Sequence, residues 1–363
     1  MRIGAERLAA DPTLVQGERI GLITNPTGVL PDLTPTAQAL TAAGLPLAVL
    51  LGPEHGLRGT AQAGFTEQDS TDPVTGLPVL ETYEADPVEV LERSGADTLI
   101  FDIADIGTRF YTFIWTMYDY LAAARKLGVR FVVLDRPNPL GGEIAEGPLL
   151  DPAYASPVGK APIPIRHGLT AGELALSFDP SVQVIEMDGW RRDMDFAATG
   201  LPWIMPSVNM PTPDTALVYP GTGLLEGTNL SEGRGTTRPF ELIGAPYLDE
   251  RFLPALRELE LPGVRFREAW FTPTFHKHAG VPVRGVQLHV TDAAAFRPVL
   301  TGVWVLHLAR TLYPDDFAWW GPDRFEEHLW GSGTLTGAPR DPRELCPDPS
   351  RPVGHLLYPS SRR

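Results

Sequence analysis

The chain has 363 residues, 43% of them hydrophobic and 21% charged, and is long enough for two domains or one large domain with a substantial core. Its 45 acidic and 30 basic residues give a formal net charge of −15 without any run of Lys or Arg, so we expect neither a nucleic-acid nor a membrane partner. The single cysteine, Cys346, excludes an intramolecular disulfide and a cysteine-based zinc site. Because no signal peptide is visible and no apolar run approaches the ~18 residues of a membrane span, the sequence predicts a cytoplasmic protein.

Four apolar runs in the first third of the chain predict buried β-strands at 18–24, 46–51, 96–102 and 129–134. Helical segments at 34–43, 86–94 and 111–127 separate them, and a glycine follows each helix. This alternation predicts a parallel sheet with right-handed crossovers. The polar segment 60–83 is expected to be irregular, as a lid or an excursion beside the site.

After Gly142 the chain changes character, and its later part is typical of a smaller α+β domain. Residues 148–164 and 202–214 are proline-rich, and Thr170 with Glu173 forms a capping box, which favours a structural role for Glu173. Beyond the strand at 182–187 there is one clear strand, 285–290, followed by a helix through Arg310. We predict a Rossmann-like α/β domain at 1–200, an auxiliary α+β domain at 201–335 and a Pro-rich irregular tail at 336–363.

Several kinds of chemistry lack their motif. Dinucleotide (G-x-G-x-x-G), P-loop (G-x-x-x-x-G-K-[ST]), serine-elbow (G-x-S-x-G) and zinc (H-E-x-x-H) motifs are missing. His276 and His278 would point to opposite sides of a strand, a poor zinc pair. A metal site built from Asp102, Asp105 and His55 is conceivable but disfavoured, so we expect no metal and no cofactor.

Carboxylates in glycine-rich loops are the most abundant candidates for chemistry. Taken singly, each is better explained as a solvated or capping residue, but the set, spread over strand ends, is not. Glycosidic hydrolysis needs a protonated carboxylic acid and a second group that activates water, attacks or stabilises the sugar cation. Arg109 and Arg234 are candidates to grip a substrate carboxylate bidentately. The acids are Glu54, Asp102, Asp105, Asp135, Glu146, Glu226 and Glu232.

Seven motifs resemble, in order and spacing, the NamZ family of exo-β-N-acetylmuramidases. They are G-L-I-T-N-P-T-G, G-P-E-H-G-L-R-G, F-D-I-A-D-I-G-T-R-F-Y-T-F, L-D-R-P-N-P-L-G-G, E-G-P-L-L, P-S-V-N-M-P-T and L-L-E-G-T-N-L-S-E-G-R-G-T, and the resemblance covers roughly residues 3 to 330. It implies a Rossmann-like domain and an auxiliary domain with the active cleft between them. It also implies release of N-acetylmuramic acid from the non-reducing end of peptidoglycan fragments.

The family's glutamate in G-P-E-H-G is the favoured catalytic acid and falls on Glu54. The second catalytic group is expected to be Glu232 or Asp105, and a substrate-assisted mechanism through the 2-acetamido group stays open. Arg109 and Arg234 would meet the lactyl carboxylate of a small carbohydrate substrate. The predicted substrate-binding residues are His55, Asp102, Arg109, Tyr111, Asn209, Glu226, Asn229 and Arg234.

One departure from the family concerns the segment after Trp330, Gly331 and Ser332. Relatives continue there as a helix, whereas this chain runs into T-G-A-P-R-D-P-R-E-L-C-P-D-P-S. Two rival interpretations stay open: a non-catalytic muropeptide-binding sensor or scaffold, and a metal-dependent hydrolase. A cytoplasmic enzyme of this kind would act on imported muropeptides in cell-wall recycling.

Overall fold

The computed structural model describes residues 1–62, 64–65, 67–321 and 323–360. The strands are β1 (Ile20–Thr24), β2 (Leu47–Gly52), β3 (Ser70–Thr71), β4 (Pro78–Glu81), β5 (Thr98–Asp102), β6 (Arg130–Leu134), β7 (Glu146–Leu149), β8 (Pro164–Arg166), β9 (Gln183–Ile185), β10 (Leu242–Ala245), β11 (Val264–Phe271) and β12 (Val283–Val290). The α-helices are α1 (Gly4–Ala10), α2 (Thr36–Ala42), α3 (Pro87–Ser94), α4 (Phe113–Leu127), α5 (Ala171–Phe178), α6 (Phe196–Thr199), α7 (Pro213–Thr222), α8 (Phe252–Glu258), α9 (Pro298–Leu312), α10 (Phe325–Trp330) and α11 (Pro342–Leu345). None of the helices in these ranges is long and apolar enough to cross a membrane.

A seven-stranded sheet with the order β3-β4-β2-β1-β5-β6-β9 forms the centre of the first domain, and only the β3–β4 pair is antiparallel. This confirms the predicted Rossmann-like parallel sheet. The chain leaves β1 toward β2 and β4, then returns to the other side of β1 to form β5. The direction in which successive strands are added to the sheet therefore reverses between β1 and β5. In open α/β sheets, ligands bind at the carboxyl ends of the strands at such a reversal point.

The segment 60–83, predicted to be irregular, contains two short strands, so that prediction is wrong. β4 lies parallel to β2, with Leu51 opposite Leu80, and Val79 is buried. The apolar part of β4 is only Val79 and Leu80, preceded by a proline. This pattern is too short to predict a strand. Because β4 pairs with β2, it lies beside the strand that leads into the Glu54 loop.

The auxiliary domain contains a three-stranded antiparallel sheet, β10-β12-β11, rather than one clear strand. Helix α9 packs against α7 at two glycines, since a Cβ on Gly302 would lie 2.2 Å from the carbonyl oxygen of Gly221. A side chain larger than hydrogen would force these helices apart. The pairing fixes α7, which leads into the polar stretch 223–238.

Residues 336–360 are mostly irregular, with α11 as a short helix. They nevertheless pack closely on the rest of the protein, and we call residues 339–360 the tail strap. Arg297 donates to the carbonyl of Pro347 at 2.7 Å, and Ser350 forms a β-bridge with Ala145. Farther along, the Tyr358 hydroxyl donates to Asp135 Oδ2 at 2.5 Å. The tail strap thus connects the auxiliary domain to the end of β6.

Candidate active site

Glu54 lies on a tight loop that begins where β2 ends. The loop turns through positive φ at His55 (72°) and Gly56 (82°), and the His55 Nδ1 lies 2.9 Å from the carbonyl oxygen of Ala61. Glu54 itself is 6% exposed. Its Oε1 accepts from the Gly64 amide at 2.7 Å, and its Oε2 accepts from the Thr112 hydroxyl at the start of α4. Uncharged donors from two segments therefore fix the predicted catalytic acid.

Asp102, at the end of β5, forms a buried ion pair with Arg136. The Arg136 Nε and Nη2 lie 2.6 and 2.9 Å from the two carboxylate oxygens, and Arg136 Nη2 also donates to the carbonyl of Val29 at 3.0 Å. Asp102 has no exposed surface. The pair braces the loops after β1, β5 and β6, and in this conformation Asp102 supports the site without lining it.

Asp105 lies at the reversal point between β1 and β5 and contacts a histidine that sequence reasoning missed. Its Oδ2 accepts from the Gly107 amide at 2.8 Å and lies 3.1 Å from His167 Nε2. Its Oδ1 is buried without a hydrogen-bond partner. The one signal for His167 was a polar turn, R-H-G, directly after an apolar stretch, as at the other strand ends.

Tyr111 is the point at which both domains meet. Its ring centroid lies 5.9 Å from that of Tyr219 in α7. Burial raises the pKa of Tyr111 far above its usual range; the nearby Ser207 side chain opposes this, the charges of Glu54 and Asp105 add to it, and Arg234 opposes it. Three charged groups from separate loops therefore act electrostatically on one phenol.

Asn209 closes the cleft on one side. Its Nδ2 donates to Gln62 Oε1 at 3.3 Å, which joins the proline-rich crossing segment 202–212 to the Glu54 loop. The predicted substrate-binding residue thus lies at the rim, where the crossing segment covers the carboxyl ends of the strands.

Glu232 lies in the auxiliary domain and is surrounded by positively charged and ionisable partners. Lys277 Nζ lies 2.8 Å away, His276 Nδ1 3.3 Å and Arg234 Nε 3.4 Å. Burial by itself would raise the pKa of Glu232, but Lys277, the neighbouring His276 and Arg234 together lower it to about 2. Arg234 also pairs with Glu226 at 3.2 Å. Glu232 is therefore an ionised carboxylate at neutral pH and cannot deliver a proton.

Lys277 was not predicted, and the two histidines beside it are not on a strand. His276 and His278 adopt positive φ values of 67° and 56° within a turn. This turn directs the Lys277 ammonium into the protein, where it also donates to the carbonyls of Leu225 (2.8 Å) and Leu230 (3.1 Å). The sequence carried no signal that a lysine between two histidines would be buried.

Arg109 and Asn229 are occupied by structural partners. The Arg109 guanidinium has no exposed surface and donates to four main-chain carbonyls, at distances of 2.7 to 3.0 Å. Asn229 binds the carbonyl of Asp316 (2.7 Å) and the hydroxyl of Tyr247 (2.8 Å). Neither side chain is free to bind a substrate in this conformation. The Arg109 guanidinium instead connects the main chain at residues 148 and 163 to the main chain at residues 329–330. The four carbonyls belong to Pro148, Ile163, Leu329 and Trp330.

The disfavoured metal grouping of Asp102, Asp105 and His55 is not assembled, since Asp102 is paired with Arg136. Across residues 1–360, leaving aside 63, 66 and 322, no group of three or more His, Cys, Asp or Glu side chains is arranged to hold a metal ion.

An α/β sheet with carboxylates at its reversal point, facing a second domain across a cleft, defines a class of enzyme-like sites, and comparison with known proteins gives the particular family. Models of the NamZ exo-β-N-acetylmuramidase family match residues 20–214 (N-terminal) and 217–339 (C-terminal). The peptidoglycan β-N-acetylmuramidase NamZ of Bacillus subtilis (strain 168) is 50% identical over 330 residues, which are 88% of this chain and 80% of that protein. The chain belongs to the NamZ family, which confirms the resemblance seen in its motifs.

Two crystal structures of DUF1343 family proteins from Bacteroides fragilis share the fold. One has a TM-score of 0.82 and 36% identity, covering 91% of this chain and 89% of that one. The other has a TM-score of 0.74 and 29% identity, covering 95% and 93%. They confirm the predicted fold class of a Rossmann-like domain with a smaller second domain.

Proposed function

We propose that this chain is a glycoside hydrolase that releases N-acetylmuramic acid from the non-reducing end of peptidoglycan fragments, with Glu54 as general acid. Its family membership supports the reaction class. The observation that carries the site is the contact between the two domains at the Tyr111 and Tyr219 rings, where the charges of Glu54, Asp105 and Arg234 all act on the Tyr111 phenol.

Glu54 is suited to protonate the leaving oxygen. Its carboxyl group is nearly buried on a loop whose conformation is fixed by neighbouring backbone, so its position is defined before substrate binds. Its described donors, an amide and a hydroxyl, are both uncharged. A general acid at this position is expected to contribute about 10²–10⁴-fold to the rate.

Asp105 is the better candidate for the second group. The charge of Glu232 is already balanced by its ion pairs with Lys277 and Arg234, and these pairs stabilise the auxiliary domain. One Asp105 oxygen accepts from the Gly107 amide and lies 3.1 Å from His167 Nε2, and the other oxygen has no partner. We assign Glu232 to fixing Arg234 and Asp105 to the reacting sugar.

Arg234 is the candidate for the lactyl carboxylate. Its side chain keeps 11% of its surface exposed, whereas Arg109 is fully buried. Replacing Arg234 with Lys would remove the planar fork that binds a carboxylate in bidentate fashion. We expect KM to rise about tenfold to hundredfold for a muramyl glycoside, as a lost charged hydrogen bond predicts. The matched glucosaminyl glycoside, which lacks the lactyl group, should show no such change between the two enzymes.

The test of the function is release of N-acetylmuramic acid from a MurNAc-GlcNAc disaccharide by the wild type and by Glu54→Gln, each with and without chelator. Turnover that is indifferent to chelator and at least about 10²-fold slower in the variant supports the proposal and its acid. Binding without turnover would favour the sensor or scaffold. Turnover that survives Glu54→Gln would keep the function and reject the acid.

The role in recycling rests on the predicted cytoplasmic location. Fractionation of the native host, with the chain detected by antibody, would distinguish an enzyme that acts on imported muropeptides from one that acts on the wall.

A further inference from the structure

His167 lies against Asp105, and the proposed function gives it no role. It is 1% exposed, and its Nδ1 accepts from the Leu169 amide at 3.1 Å. A neutral imidazole whose Nδ1 is an acceptor carries its proton on Nε2. That Nε2 lies 3.1 Å from Asp105 Oδ2, an ion-pair distance without hydrogen-bond alignment in this conformation, and the main chain of Leu169 sets the tautomer that carries the proton on this side of the ring.

The two oxygens of Asp105 differ in their surroundings. Oδ2 meets both the Gly107 amide and His167 Nε2, whereas Oδ1 is buried and has no partner. A buried acceptor without a donor is costly, and a ligand that supplies the donor removes that cost. Oδ2 accepts from the Gly107 amide and lies beside His167, so Oδ1 is the oxygen left for a ligand.

The space beside Asp105 is apolar. A cavity lies between the carboxyl ends of the strands and residues 201–206, and the ionisable residues among those that line it are Asp105 and Arg136, which is paired with Asp102. A 2-acetamido group consists of one N–H donor, one carbonyl and a methyl group, so it matches a lone acceptor next to an apolar wall. The apolar part of that wall comes from Val29, Leu30, Ala104, Ile106, Trp203 and Pro206.

We infer that Asp105 binds the N–H of the substrate's 2-acetamido group and that His167 is its positioning residue, which makes the reaction substrate-assisted. The inference rests on the proposed function. His167 does not touch the sugar; it holds Asp105 so that the acetamido carbonyl oxygen faces the anomeric carbon, as outer-shell partners orient reacting groups elsewhere.

The reaction has two steps. The acetamido carbonyl oxygen forms a bond to C1 while the bond between C1 and the leaving oxygen breaks, and the Glu54 proton passes to that oxygen. The resulting oxazolinium ion keeps its N–H against the Asp105 carboxylate, whose negative charge stabilises it. Water then attacks C1 and gives its proton to Glu54, the bond between C1 and the acetamido oxygen breaks, and the acetamido group is restored.

The experiment compares the wild type, His167→Ala, His167→Gln and Asp105→Ala on 4-nitrophenyl β-glycosides of N-acetylmuramic acid and of its N-trifluoroacetyl analogue. The fluorines withdraw electrons from the attacking oxygen, so the wild type should cleave the analogue much more slowly. His167→Ala should lower kcat about tenfold to hundredfold with little change in KM, because it removes the imidazole that lies against the charged carboxylate and orients it. His167→Gln, whose side-chain amide can replace Nε2–H, should keep most of the wild-type kcat.

The ratio of the two rates separates positioning from simple stability. If His167 orients Asp105, the ratio of acetyl to trifluoroacetyl rates falls in His167→Ala; an unchanged ratio, or an unchanged kcat, overturns the inference. Azide that restores Asp105→Ala and yields a glycosyl azide would make Asp105 a nucleophile and also overturn it. Failure of the wild type to cleave the N-acetyl glycoside would instead reject the proposed function.

Discussion

The two sides of the cleft hold their carboxylates in different ways. On the sheet side, which we call the N-terminal wall, Glu54 binds an amide and a hydroxyl, and Asp105 binds an amide and His167. On the opposite side, the auxiliary wall, Glu232 is surrounded by Lys277, Arg234 and His276. Both sides are buried, so exposure does not distinguish them.

The difference between the walls lies in the charge beside each carboxylate. A fixed positive charge beside a carboxylate stabilises its ionised form. The pKa of Glu232, lowered to about 2, is the result on the auxiliary wall. We conclude that the auxiliary wall is built to hold an ionised carboxylate in place, whereas the N-terminal wall holds Glu54 through uncharged donors.

The strongest test of this comparison removes the cation from the auxiliary wall. Lys277→Met leaves the buried Glu232 carboxylate without its closest partner, and we expect unfolding free energy to fall by about 3–5 kcal/mol at pH 7. Because the pKa of Glu232 is depressed from 4.5 to about 2, its stabilising contribution is complete above pH 4.5 and is lost as pH falls through 2. Urea denaturation should therefore show the two proteins converging in that acidic range.

The control for this prediction is the double variant Lys277→Met with Glu232→Gln. Removing both charges should recover part of the stability lost in the single variant, since no unpaired charge stays buried. A loss below about 1 kcal/mol in Lys277→Met would mean that Arg234 and His276 suffice to hold the charge.

The next effect falls on the N-terminal wall and on activity. Thr112→Val removes the hydroxyl that donates to Glu54 while keeping the shape of the side chain. We expect kcat/KM to fall about tenfold to hundredfold, with stability changed by about 1 kcal/mol. Thr311→Val, on an exposed face of α9 where the hydroxyl donates to the His307 carbonyl, is the matched control and should leave kcat/KM unchanged. Equal losses in both variants would contradict a specific role for Thr112.

The smallest effect sharpens the comparison at Asp135, a third buried carboxylate that receives neutral donors. Burial raises the pKa of Asp135 to about 6, and the Tyr358 hydroxyl opposes that rise. Tyr358→Phe should cost about 1–2 kcal/mol at pH 8, because it removes a donor from a buried carboxylate. The folded state binds the Asp135 proton more tightly than the unfolded state, so the ionised form is the costly one and the loss should be smaller at pH 5. Chemical denaturation at both pH values checks this, and equal losses would contradict it.

The sequence predicted the sheet well because a buried parallel strand is a continuous apolar run that ends in turn residues. It missed β11 because burial along V-R-F-R-E-A-W-F does not alternate regularly: Val264, Phe266 and Ala269 are the buried positions. A pattern that slips by one residue loses the period of two that marks a strand.

The sequence predicted which loops form the candidate site, but not which way the side chains on those loops point. Arg109 and Arg234 both lie in glycine-containing polar stretches, yet one is fully buried against four carbonyls and the other keeps surface at the cleft. Polarity and glycine content say that a residue is near a turn, whereas tertiary packing decides which way its side chain points. The contacts of Glu232 with Lys277, 45 residues away, and of Asp105 with His167 are equally invisible to local patterns.

The tail strap also has a consequence for how the chain is made. The hydroxyl of Tyr358 reaches Asp135 across a separation of 223 residues. At a synthesis rate of ~5–20 residues per second, β6 emerges about 10–45 s before the donor that its carboxylate needs. During that interval Asp135 must rely on its nearer donors, such as the Thr170 hydroxyl and the Gly172 amide. The first domain of the nascent chain therefore forms early, but the hydrogen bonding of its Asp135 carboxylate is completed only when the tail strap has been synthesised.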